Sequence, residues 1–149
     1  MGLVSDGHGD LSFRVIGACM AVHNDLGPGH REIVYQRALA CKFRDSGIEF
    51  EEYVPVSVVD ANGNTLIIYK PDFRIQKCIW VEIKAHWHQL TGDDQAQVID
   101  YFSADEKQTC NLALLVNFGR PRLEWKRMFP PKKLAEHQWK KWGNLIKNK

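Results

Sequence analysis

The sequence lacks the marks of a metal ribbon, a disulfide scaffold or a membrane protein. Its four cysteines stand at positions 19, 41, 78 and 110, with no Cys-x-x-Cys pair and no regular spacing. That argues against a zinc ribbon and a disulfide framework and for reduced thiols. No stretch approaches the roughly 18 consecutive apolar residues of a membrane span, and the polar, glycine-containing first ten residues lack a signal peptide's apolar region. A soluble cytoplasmic protein is expected, with no membrane partner. A Gly-rich phosphate loop, a Gly-x-Ser-x-Gly elbow and a Cys/His nucleophile arrangement are also missing, as are internal repeats and low-complexity segments.

What remains is one domain's worth of chain: 149 residues, 44% apolar and 11% aromatic, enough to bury a core. The net charge is only +2, but it is unevenly spread. Residues 132–149 hold six lysines and one glutamate, together with Trp139 and Trp142. Lysines interleaved with aromatics suit phosphate backbones and unstacked bases, although a solvated amphipathic helix has the same composition.

Three regions are expected: a disordered leader over 1–10, a folded domain over 11–129, and a basic, helical tail over 130–149. Asp10 or Ser12 can cap a first helix carrying Val15, Cys19, Val22 and Leu26 at helical spacing, ended by Gly27-Pro28-Gly29. A second helix is expected from about Arg31 to Ser46, stopping at Gly47. The period then changes. Glu52 to Val59 and Thr65 to Tyr69 read as strands joined by an Asn62-Gly63 turn, followed by Asp72 to Ile75 and Cys78 to Lys84 in a β-meander. Asp93 and Asp94 open a helix to about Ala104. Asn111 to Phe118 is almost wholly apolar, which predicts a central strand, and Leu123 to Met128 an edge strand. The sum is a mixed α/β sheet with helices on its faces.

The chemistry-bearing residues lie in Lys70-Pro71-Asp72-Phe73-Arg74-Ile75 and Ile79-Trp80-Val81-Glu82-Ile83-Lys84. Strand alternation puts Glu82 and Lys84 on one face. Asp72 faces Glu82 if the turn at Gln76-Lys77-Cys78 has three residues and Val81 if it has two, and the sequence leaves both registers open. Two carboxylates can share a hard divalent cation such as Mg²⁺ or Mn²⁺, and a neighbouring ammonium can orient water and offset phosphate charge. A lone Glu-x-Lys would be an ordinary half-exposed polar face. Two features add to it. Glu32 falls on one helical stripe with Tyr35, Leu39 and Phe43, so a carboxylate buried among apolar residues is expected there. Gln97 and Tyr101, four apart, share a face of the helix that follows the Glu82 strand. His86 and His88 lack a third soft ligand, so zinc is not expected and the pair should lie near the site mouth. His23 reads as a structural histidine.

Gly29-His30-Arg31-Glu32-Ile33-Val34-Tyr35 contains Gly-x-x-Glu-x-x-Tyr. With Pro71-Asp72, Glu82-Ile83-Lys84 and Asn117-Phe118-Gly119, the chain resembles the GxxExxY proteins of the PD-(D/E)XK nuclease superfamily, over about residues 11–128. The resemblance implies a restriction-endonuclease-like fold and metal-dependent hydrolysis of DNA phosphodiester bonds. It implies Asp72, Glu82 and the main-chain carbonyl of Ile83 as ligands of Mg²⁺ or Mn²⁺, Lys84 as the residue orienting the attacking water, and Glu32 as a supporting acid or further ligand. Gln97 and Tyr101 look like the Gln-x-x-x-Tyr motif of RecB-like nucleases, and with Tyr35 and His86 they are the expected substrate contacts. A junction-resolvase-like endonuclease, a homodimer and a catalytically weak nucleic-acid- or partner-binding module are the rival expectations.

Overall fold

The computed structural model describes residues 7–132. Helix α1 (Gly7–Leu26) buries Leu11, Val15, Cys19 and Val22 along one stripe, as their spacing predicts. It opens earlier than expected, so residues 7–10 of the anticipated leader are helical. The other leader residues, and the tail beyond Lys132 with Trp139 and Trp142, lie outside the described residues. Helix α2 (Glu32–Asp45) buries Tyr35, Leu39, Ala40 and Phe43. It ends where Gly47 takes φ +69°, a left-handed turn that glycine adopts without strain and that lets Ile48 N donate to Phe43 O at 2.9 Å.

Among the described residues seven strands follow: β1 (Phe50–Glu52), β2 (Val56–Val59), β3 (Thr65–Tyr69), β4 (Phe73–Ile75), β5 (Ile79–Lys84), β6 (Leu112–Asn117) and β7 (Glu124–Met128), with α3 (Gly92–Ala104) between β5 and β6. The main sheet runs β1-β4-β5-β6-β7. Only β5 and β6 are parallel; the other neighbours are antiparallel. A parallel neighbour needs a crossover, and α3 supplies it. All six residues of β6 are buried, which explains the apolar run from Leu112 to Val116.

The meander needs correction. The expected strand Glu52–Val59 is two strands in two sheets, because Tyr53 turns out at φ 56° and Pro55 has no N–H to continue a ladder. β2 and β3 form a separate antiparallel ribbon, which frees β1 to pair with β4. The ribbon's turn is held by Asp60, whose Oδ1 accepts from the main-chain N–H of Asn62 and of Asn64, both at 2.9 Å.

Helices cover both sheet faces. One core joins α1 and α2 to Phe73, Ile75, Ile79, Val81, Ile83, Leu114 and Val116. The other joins α3 and the ribbon to Trp80, Ala113 and Leu115. Among the described residues no helix is long and apolar enough to cross a membrane.

Candidate active site

The β4–β5 turn decides the site. Ile75 pairs with Ile79 and Phe73 with Val81, so the connection is the three-residue Gln76-Lys77-Cys78, with Gln76 and Lys77 at φ 46° and 58°. One step outward, Asp72 therefore opposes Glu82. The pairing is cross-linked twice: Asp72 N donates to Glu82 Oε1 at 3.3 Å, and Ile83 N donates to Asp72 Oδ2 at 2.8 Å. Both carboxylates are buried.

Lys84 lies on the same face. Its ammonium donates to Gln97 Oε1 at 2.5 Å and stands 3.5 Å from Glu82 Oε2. The Tyr101 hydroxyl bears on the Glu82 carboxylate and favours its charged form. Spacing of four on α3 thus delivers both side chains to the hairpin, Gln97 to the lysine and Tyr101 to the glutamate.

Burial, and after it the Glu82 charge, hold the Asp72 carboxyl well above the usual carboxylate range, with a smaller push from Glu32. Burial also raises Glu82, opposed by the Tyr101 hydroxyl and the Lys84 charge. Burial and the Glu82 carboxylate raise the Tyr101 phenol further, so it stays a hydrogen-bond donor. Two desolvated carboxylates side by side are poor anions on their own and good oxygen donors for a hard cation. Among the described residues no group of three or more His, Cys, Asp or Glu side chains could hold a metal. The residues that could offer oxygen donors to one hard cation are Asp72 and Glu82.

Two expectations are corrected. Glu32 is exposed, not buried in the apolar stripe: it is the first residue of α2, and the core begins one turn later, at Tyr35. Its charge still reaches Asp72. Tyr35 is fully buried, so it is not free to meet a substrate. Its hydroxyl donates to Gly27 O at 2.5 Å and accepts from His30 N at 3.2 Å, and its ring stacks on Phe118 at 4.8 Å, which locks the α1–α2 connection.

His86 reaches the capping Asp94 of α3 at 3.1 Å through Nε2 and stacks on His88 at 4.5 Å. His23 is structural, with Nε2 2.9 Å from Arg120 O. A cleft of ≈ 780 Å³ lined by Arg44, Ile48, Phe50 and Lys77 contains none of the site residues.

Sequence reasoning missed Gln36 and the role of Asn117. Gln36 is buried on α2 and donates to Asp72 O at 3.2 Å, while its Oε1 has no hydrogen-bond partner among the described residues. An amide beside Tyr35 looks like a helix-surface residue; only its place on the buried stripe, four after Glu32, marks it. Asn117 is fully buried and ties the loop after β5 to β6.

The family model of the PD-(D/E)XK nuclease superfamily matches residues 9–128. No curated protein matches the chain. Among solved structures, the crystal structure of SSO0001 is similar, at 17% identity and a TM-score of 0.46 over 88% of this chain, which spans 64% of that one. From α1 to the last residue of β7 the family model runs without leaving the helices and mixed sheet just described, a restriction-endonuclease-like architecture, and the chain belongs to the PD-(D/E)XK nuclease superfamily.

Proposed function

We propose that the chain is a divalent-metal-dependent nuclease that hydrolyses DNA phosphodiester bonds, within the GxxExxY group of its superfamily. The observation that carries this reading is the buried pair of opposed carboxylates, Asp72 and Glu82, with Lys84 3.5 Å from Glu82. Asp72, Glu82 and the Ile83 carbonyl would hold Mg²⁺ or Mn²⁺, which when bound supplies Lewis-acid charge to phosphate oxygens and makes water a better nucleophile. Lys84 positions that water and offsets phosphate charge. Its ammonium has three N–H donors; one is given to Gln97, so the lysine is aimed while donors remain for water or substrate. Tyr101 supports the charged form of the Glu82 carboxylate. Gln36, through Asp72 O, fixes the main chain on the other side. Glu32, exposed at the start of α2, adds negative charge at the mouth, as a support for a cation rather than for the phosphate. His86 borders the mouth as a substrate contact.

The test is incubation of the purified protein with single-stranded, duplex and branched DNA in Mg²⁺, in Mn²⁺ and in EDTA, beside Glu82→Ala. Metal-dependent cleavage that disappears in the variant is expected. Binding without cleavage in every metal would replace the nuclease with a binding module.

A further inference from the structure

Trp87 is 86% exposed, three residues beyond Lys84 in the loop that leaves β5. An indole normally buries much of its large apolar surface, so one left in water three residues after the lysine of the candidate active site calls for a partner.

The loop that carries it is fixed from several sides. His86 N donates to Asn117 Oδ1 at 2.8 Å, and Asn117 Nδ2 donates to His88 O at 3.0 Å. One buried amide thus grips the residues before and after Trp87. Leu90 N donates to both oxygens of Glu124, at 3.0 and 3.1 Å. Gly119 lies so close beneath that a Cβ there would stand 2.4 Å from His86 O and 2.6 Å from His86 N. The Asn117-Phe118-Gly119 sequence therefore acts as a clamp on this loop. The rings of His86 and His88 stack on each other, and the indole between them in sequence is left to solvent. Arg120 stands 3.7 Å from the same Glu124, adding a cation at the base of the loop.

We propose that Trp87 is a stacking platform for an unstacked nucleobase, so that the site takes single-stranded or frayed nucleic acid in preference to intact duplex. This rests on the nuclease reading above and narrows its substrate. A rigid aromatic loses little entropy when a base lands on it, and every base has a face to offer. In an intact duplex those faces are covered by neighbouring base pairs.

The experiment is fluorescence anisotropy of labelled single-stranded and blunt duplex oligonucleotides in Ca²⁺ buffer, with wild type, Trp87→Ala and Trp87→Phe, plus a melting curve of each protein. Trp87→Ala should bind the single strand about tenfold more weakly, with duplex binding and melting temperature unchanged, and Trp87→Phe should keep most of the affinity. An unchanged single-strand affinity in Trp87→Ala, or an equal loss on both forms, overturns the platform while the nuclease reading stands. A wild type that binds neither form overturns both.

Discussion

Ile79, Val81 and Ile83 leave β5 toward α1 and α2, whereas Trp80, Glu82 and Lys84 leave it toward α3 and the β2–β3 ribbon. On the first face the strand's side chains join the aliphatic and aromatic core under α1 and α2. The second carries a carboxylate, an ammonium and an indole whose Nε1 has no hydrogen-bond partner among the described residues. One strand thus divides two tasks by alternation. The apolar face supplies the free energy that keeps Asp72 and Glu82 together despite their desolvation; the polar face uses that enforced proximity. Burial of charge is tolerated where a neighbouring layer is rigid enough to impose it.

The largest effect that could break this division is on cleavage. Glu82→Ala should lower the rate by a factor on the order of 10²–10³, the scale of removing one electrostatic stabiliser from a transition state. It should leave the fold intact by circular dichroism, and an unfolded variant would show that the polar face carries stability as well. Leu114→Ala is the converse. Leu114 is fully buried on the apolar face beside Val81, so its truncation should remove about 2–5 kcal/mol of stability in urea denaturation. The cleavage rate per folded molecule should not change.

The smallest effect concerns pH. Asp72 and Glu82 have pKa values raised in the folded state, chiefly by burial. The folded protein therefore holds their protons more tightly than the unfolded chain does. Their contribution is fully present below the unfolded carboxylate range, near pH 4, and is lost as pH rises through the folded values. In EDTA, Asp72→Asn should consequently melt a few degrees above wild type at pH 8, with the gap closing toward pH 4. A variant that melts below wild type at pH 8 would mean the pair is not strained.

Much of this was legible in the sequence and some was not, for definable reasons. Alternation in β5 and spacing of four on α3 correctly joined Glu82, Lys84, Gln97 and Tyr101, because both periods follow from backbone geometry. The Asp72–Glu82 register was not decidable. It depends on Gln76 and Lys77 entering left-handed φ, and neither residue type announces that. Periodicity also placed Glu32 on the right stripe but not at the right depth, since a helical pattern does not say at which turn the core begins. The ribbon's departure from the main sheet was hidden in Tyr53-Val54-Pro55, where the proline was the available signal.

The opposed carboxylates are proposed to form a cation site. Titration calorimetry of Mn²⁺ into wild type and Glu82→Ala, with melting curves of the same samples, tests it without relying on catalysis. Saturable binding that raises the melting temperature of wild type is expected, with both effects lost in Glu82→Ala. Equal binding and equal stabilisation in the two proteins, or none in wild type, would contradict it.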